Sequence, residues 1–160
     1  MSRRGRSYRW TVNSTANCRE GSTQNVYSCA EEHESRMASL KRPRVLIAED
    51  HAGVAKAVGR VLALDCEVVG IVPDGSALLE AAQRLQPDVM VVDVNLPKVN
   101  GLEACRQITR MNPEAKVIVF SAMNDPAIRQ RSFEVGASAF VCKGDAGLLS
   151  TVKRLCDDRG

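Results

Sequence analysis

The chain has 160 residues, of which 44% are hydrophobic and 26% are charged, and its formal net charge is +3. This length and composition predict one globular domain with a short additional segment. No apolar run reaches the roughly 18 residues that a membrane span requires, so no transmembrane segment is predicted.

The basic residues are concentrated in the N-terminal part of the chain. Residues 1–43 contain eight basic and four acidic residues, whereas residues 44–160 contain fourteen and fifteen. Residues 1–42 are rich in Ser, Thr, Asn and Glu and show no helical or strand period, which predicts a disordered extension. Two alternatives remain open for it: a basic arm that contacts nucleic acid, and a translation start at Met37 that excludes residues 1–36. The folded domain is predicted over residues 43–160.

Six cysteines are scattered along the chain without a C-x-x-C pair, which argues against a zinc site or a disulfide framework. Cys66 and Cys142 lie in predicted strands, and Cys105 and Cys156 lie on predicted helices. We therefore expect these cysteines to act as small buried hydrophobic side chains. Free cysteines of this kind imply a reducing compartment, and the expected location is the cytoplasm.

From Arg44 onward, five apolar runs alternate with five helical patterns. The predicted strands span 44–48, 67–72, 89–93, 116–121 and 138–142. Four helices are predicted from apolar residues at helical spacing: Val54, Val58, Val61 and Leu62; Leu78, Leu79, Ala82 and Leu85; Leu102, Cys105, Ile108 and Met111; Leu148, Leu149, Val152, Leu155 and Cys156. The remaining helix is predicted from Asp125 as N-cap, Pro126 at the first position and Gly136 at the end. Strict alternation of this kind predicts a doubly wound parallel sheet.

Polar side chains end four of the predicted strands. Glu49 and Asp50 follow the first strand, Asp93 ends the third, Ser121 ends the fourth and Lys143 follows the fifth. The carboxyl ends of parallel strands share one edge of the sheet, so these side chains are expected around one crevice.

The residue types in this crevice indicate metal-assisted phosphoryl chemistry. Three crowded carboxylates raise one another's pKa unless a cation lies among them. Oxygen ligands suit Mg²⁺, which keeps several waters for a phosphate. A lysine and a serine supply further contacts for phosphoryl oxygens.

The segment from about Arg44 to Asp157 resembles the receiver domain of bacterial two-component response regulators. The matching features are Glu49-Asp50, Asp93 with Pro97 and Asn100-Gly101 behind it, Ser121-Ala122, Phe140 and Lys143. The resemblance implies a flavodoxin-like (βα)5 sheet in the order 2-1-3-4-5. It also implies that Asp93 is the phosphoacceptor and that Glu49, Asp50, Asp93 and the backbone carbonyl of Asn95 hold Mg²⁺. Ser121 and Lys143 are then expected to bind the phosphoryl group, and Ser121 and Phe140 to act as the switch.

The sequence departs from the family pattern after Lys143, where Gly144 replaces the usual proline and its cis bond. A cis Lys-Gly bond would cost about 2.5–4 kcal/mol, whereas the freedom of glycine would let a trans chain reach the same place. The family often carries a DNA-binding domain after the receiver, but this sequence ends soon after the last predicted helix. We therefore expect a single-domain receiver without turnover activity.

The expected phosphoryl donor is a sensor histidine kinase or a histidine phosphotransfer protein. Output is expected through a protein effector or a self-dimer, on the face of the fourth helix, fifth strand and fifth helix. Candidate residues on that face are Ala127, Ile128, Arg131, Val135 and Lys153. No helix-turn-helix pattern is present in residues 1–43, so direct DNA binding is not expected.

A phosphohydrolase and a cofactor binder are the two alternative classes of function. A phosphohydrolase with an aspartyl nucleophile needs a second Asp two residues later, where this chain has Asn95. A flavodoxin-like cofactor binder needs a phosphate loop after the first strand, where Glu49, Asp50 and His51 lie instead. His51 itself is expected to be a solvated residue at a helix start, with contact to the phosphoryl donor as the alternative.

Overall fold

A computed structural model describes residues 42–157 of the chain. The predictions for residues 1–41, including Cys18, Cys29 and the alternative start at Met37, lie outside the described residues. Arg42 is described, and its guanidinium donates to the main-chain oxygen of Ala63.

Five strands and five helices alternate along the described chain. The strands are β1 (Arg44–Ala48), β2 (Glu67–Val72), β3 (Val89–Asp93), β4 (Lys116–Ser121) and β5 (Ala139–Cys142). The helices are α1 (Ala52–Leu62), α2 (Gly75–Leu85), α3 (Gly101–Met111), α4 (Pro126–Glu134) and α5 (Leu148–Asp157). None of these helices is long and apolar enough to cross a membrane.

The strands form one parallel sheet in the order β2-β1-β3-β4-β5, as predicted. The central position of β3 explains its continuous apolar sequence, because both of its faces are covered. Alternate residues of each central strand enter two separate cores. On β1, Leu46 and Ala48 pack with α2 and α3, while Val45 and Ile47 pack with α1 and α5.

Polar residues begin three helices, and among these residues only Asp125 was predicted as an N-cap. Asp74, Asn100 and Asp125 are the N-caps of α2, α3 and α4, and each side chain accepts a backbone N–H from its helix. Pro73 and Asp74 therefore lead directly into α2, which begins at Gly75. Gly136 follows α4 with φ +96°, the left-handed conformation expected of a residue just past a helix.

Several expectations about individual residues were wrong. Val61 and Met111 were predicted on apolar faces, but they are 47% and 58% exposed. Val61 lies at the edge of its apolar stripe, and Ala55 on the opposite edge is buried instead. Met111 is the last residue of α3, where its sulfur contacts Gln83. Cys66 is buried in the turn before β2 and not in the strand, and β5 begins one residue later than expected.

Candidate functional site

Asp93 ends the central strand of the sheet and is buried at the edge where the carboxyl ends of the strands meet. The strand end lies directly against the start of α3. A Cβ added at Gly101 would come within 1.8 Å of the Asp93 main-chain oxygen, so glycine is required for this approach. The tight turn fixes the Asp93 carboxylate relative to the loop that carries Asn95.

Glu49 and Asp50 follow β1, the neighbouring strand. Glu49 is buried, and its backbone N–H donates to the main-chain oxygen of Val72 at 3.0 Å. Asp50 is exposed at the rim of the crevice. A hydrogen bond from the His51 ring lowers the pKa of Asp50, so this carboxylate is ionised at neutral pH.

Lys143 enters the crevice from the end of β5. Its Nζ lies 2.6 Å from Glu49 Oε2 and 3.0 Å from Asp93 Oδ2. Burial acts to lower the pKa of Lys143, but the hydrogen bonds with Glu49 and Asp93 outweigh it and raise the pKa. The ammonium is therefore charged at neutral pH and connects the two buried carboxylates.

The backbone after Lys143 resolves the question raised by Gly144. No cis peptide bond occurs in the described residues, and Gly144 has φ +102°. Glycine is the residue that takes this conformation without strain. The Lys143 backbone N–H also donates to the main-chain oxygen of Ser121 at 2.6 Å.

Ser121 and Phe140 are buried on the adjacent strands β4 and β5. Ser121 Oγ accepts the backbone N–H of Met123 at 3.1 Å. Phe140 packs into the core under α2 and α3, and the Arg129 guanidinium lies 4.8 Å from the centre of its ring. Both switch candidates are therefore buried, and Ser121 is the one in direct contact with Lys143 of the crevice.

The crevice has the donor set of a divalent-cation site. Asp93 Oδ1 is buried and has no hydrogen-bond partner among the described residues. Glu49 Oε2 is also buried and lies 2.6 Å from the Lys143 ammonium. A buried carboxylate oxygen without a partner, such as Asp93 Oδ1, is costly, and hard cations such as Mg²⁺ bind oxygens of this kind. The residues present therefore fit Mg²⁺.

Sequence reasoning did not find three contacts around the site. His51 Nδ1 lies 3.0 Å from Asp50 Oδ1, and Arg129 covers Phe140. Lys98 Nζ lies 2.7 Å from Asp74 Oδ2, which connects the loop after β3 to the start of α2. The position of His51 directly after two acids was a usable signal, whereas the other two contacts join segments that are distant in sequence.

The acidic crevice, the partly buried Lys143 and the buried Ser121 lie at the carboxyl edge of the parallel sheet, where open α/β sheets bind their ligands. Residues 45–152 match the family described as "Response regulator receiver domain". The chain belongs to this family of two-component response regulators, which confirms the predicted resemblance.

Individual relatives agree with this assignment. Response regulator GacA of Pseudomonas viridiflava is 36% identical over 114 residues, covering 70% of this chain and 53% of GacA. Chemotaxis protein CheY of Thermotoga maritima is 33% identical over 101 residues, covering 62% of this chain and 84% of CheY. The signal receiver domain of the response regulator NarL from Mycobacterium tuberculosis has 28% identity and a TM-score of 0.71, covering 74% of this chain and 99% of that domain. The chain thus spans about half the length of the GacA relative.

Proposed function

We propose that this receiver accepts a phosphoryl group on Asp93 from a phosphohistidine of a sensor histidine kinase or a phosphotransfer protein. The observation that carries the proposal is the state of the Asp93 carboxylate. One oxygen, Oδ2, is 3.0 Å from Lys143 Nζ, and the other, Oδ1, is buried without a partner in the described residues. A carboxylate held in this way has one oxygen oriented by an ammonium and one free for attack or for a metal ion.

In the proposed reaction, an Asp93 oxygen attacks the phosphorus of the donor. A P–O bond to Asp93 forms as the P–N bond of the phosphohistidine breaks, and the bonding electrons leave with the imidazole. A carboxylate is a weak nucleophile, so the crevice must contribute alignment and charge neutralisation. Lys143 supplies one positive charge to a phosphoryl oxygen, and the Ser121 hydroxyl donates to another.

Glu49, Asp50, Asp93 and the main-chain carbonyl of Asn95 are the proposed ligands of Mg²⁺. When bound, Mg²⁺ neutralises negative charge on the attacking carboxylate and on the phosphoryl oxygens. Glu49 and Asp93 share one ammonium before phosphorylation, so Lys143 must redistribute its contacts as the phosphoryl group arrives.

Signalling is proposed to run from Ser121 to the surface around α4. Ser121 Oγ accepts the Met123 N–H, and no hydrogen bond donated by its hydroxyl occurs in the described chain, so the hydroxyl can donate to a phosphoryl oxygen. Movement of this segment changes the space available to Phe140, which contacts Arg129 on α4. Phosphorylation thereby changes the charge inside the crevice, and the effect is transmitted to the protein surface at α4.

The proposed output is a protein contact on the face of α4, β5 and α5, with an effector or with a second copy. Ile128 and Val135 are partly buried against the core, and Phe133 is an exposed aromatic of α4. Lys153, which the sequence placed on this face, instead pairs with Asp65 in the turn after α1 at 2.6 Å. Sedimentation with and without beryllofluoride tests the self-dimer, and an unchanged mass points to a separate effector.

Phosphorylation itself is tested with acetyl phosphate and Mg²⁺, followed by intact-mass spectrometry. The wild type should gain one phosphoryl group, and Asp93→Asn should gain none. Glu114→Gln is the matched control, because Glu114 is exposed and lies just before the start of β4, at the end of the strand opposite the crevice. An adduct that persists in Asp93→Asn overturns the assignment. Continuous phosphate release without an adduct indicates a phosphohydrolase.

A further inference from the structure

His51 adds a ring nitrogen to the acidic crevice. Its Nδ1 lies 3.0 Å from Asp50 Oδ1 and 3.8 Å from Glu49 Oε1. The ring is 77% exposed and makes no capping hydrogen bond to α1. The backbone N–H of His51, and not its ring, stabilises the start of α1, since it donates to Glu49 Oε1 at 3.3 Å. The ring is hydrogen-bonded to Asp50, and a metal ion bound by both side chains would take the place of that hydrogen bond.

The spacing of these three side chains suits one metal ion. Each offers a donor atom, and the donors lie within 4.8 Å of one another. Around an ion with bonds of about 2.1 Å, donors at right angles are about 3 Å apart and opposite donors about 4 Å apart. The distance of 3.0 Å from His51 Nδ1 to Asp50 Oδ1 matches donors at right angles. The distance of 3.8 Å from Nδ1 to Glu49 Oε1 lies between the right-angle and the opposite spacing.

Independent evidence for a cation comes from the buried carboxylates. Asp93 Oδ1 is buried without a partner in the part of the chain that the structure describes, and the only ion-pair partner of Glu49 Oε2 there is Lys143. Glu49 and Asp93 share the single ammonium of Lys143, and the Asp50 carboxylate lies beside Glu49, so negative charge is in excess. A dication compensates that excess, and the nitrogen of His51 stands at the open side of the same crevice.

We propose that His51 makes this crevice a mixed nitrogen–oxygen site that binds Co²⁺, Ni²⁺ or Zn²⁺ in competition with Mg²⁺. The inference rests on the proposed function in that the crevice is the Mg²⁺ site. Imidazole nitrogen strongly favours these transition ions, whereas Mg²⁺ prefers oxygen ligands and water. In the metal-bound state the neutral ring binds through Nδ1 and carries its proton on Nε2, which faces solvent.

The test measures the dissociation constants of Co²⁺ and Mg²⁺ for the full-length protein by titration calorimetry. The variants are His51→Asn and His33→Asn, which replace the two histidines of the chain separately. Asn at position 51 is a good N-cap, so α1 is preserved. We expect His51→Asn to weaken Co²⁺ binding about tenfold or more, to change Mg²⁺ binding by less than about twofold, and His33→Asn to change neither.

Three outcomes overturn the inference. One is Co²⁺ binding that His51→Asn leaves unchanged, and another is an equal loss of Co²⁺ and Mg²⁺ affinity. The third is a Co²⁺ absorption spectrum with thiolate charge-transfer bands that persist in His51→Asn, which would assign the ion to cysteine. Failure of the proposed function is a separate result: the wild type would bind Co²⁺ through His51 and still gain no phosphoryl group on Asp93.

Discussion

The ammonium of Lys143 lies 2.6 Å from Glu49 Oε2, so it joins the end of β5 to the end of β1 across the two strands between them. The same ammonium is 3.0 Å from Asp93 on the central strand. One cation thus holds together carboxylates that would otherwise repel each other. The stability of the metal-free crevice should depend on it.

Replacing Lys143 by Met should destabilise the metal-free protein by about 1–3 kcal/mol, because Glu49 and Asp93 then remain buried without a partner. Asp93→Asn should change the free energy of unfolding by less than about 1 kcal/mol, because it removes one of the repelling charges and leaves the pair of Lys143 with Glu49. Urea unfolding in the presence of a chelator measures both. Lys56→Met, an exposed change on α1, is the control. A Lys143→Met protein as stable as wild type would contradict this account of the crevice.

The stabilisation by Lys143 should disappear in alkali. Its pKa is raised above the ordinary value of 10.5 in the folded protein. The stabilising contribution is therefore fully present below pH 10.5 and is lost as the pH rises through the folded pKa. The free energies of unfolding of the wild type and of Lys143→Met are measured at about pH 7 and above about pH 11. The stability difference between the two proteins should shrink at the higher pH, and a constant difference would mean that it does not arise from the ammonium.

Local patterns in the sequence were sufficient to predict a parallel sheet and the polar residues at its strand ends, whereas the strand order followed from the family resemblance. Four of the five strands have the predicted bounds, because each is an apolar run ended by a polar residue or a turn. Asp93, Glu49 and Lys143 could be placed together because parallel strands end at one edge. The distances between their side chains could not be predicted, since they depend on how far each strand projects beyond its neighbour.

Contacts between loops were beyond the reach of sequence patterns. Asp74 caps α2 and pairs with Lys98 from the loop after β3, a contact between segments that are distant in sequence. Lys98 adopts φ 64°, an uncommon conformation for a residue other than glycine. Nothing in the local sequence around Lys98 indicates that conformation, because it results from the packing of one loop on the other.

Gly75 should be intolerant of any side chain. A Cβ at this position would lie 2.0 Å from the main-chain oxygen of Val99, and a backbone atom in the loop after β3 cannot move aside cheaply. We expect Gly75→Ala to destabilise the protein by about 2 kcal/mol or more. Gly53→Ala is the matched control on α1, where a Cβ meets no atom within 4 Å. It should be neutral or stabilising by up to about 1 kcal/mol. Equal effects of the two substitutions in urea unfolding would contradict the close packing of these loops.

Arg129 should hold Phe140 in its buried position. The guanidinium lies 4.8 Å from the ring centre and is itself held by Asn124 Oδ1 at 3.3 Å. An exposed cation–π contact is worth about 0.5–1 kcal/mol, so Arg129→Ala should lower the free energy of unfolding by that amount. Arg131→Ala, an exposed change on the same helix, should have a smaller effect. NMR signals of the Phe140 ring should shift and broaden in Arg129→Ala alone, because a ring without this cover samples more than one orientation. If both variants leave the ring signals unchanged, Phe140 is held by the core and Arg129 has no part in its position.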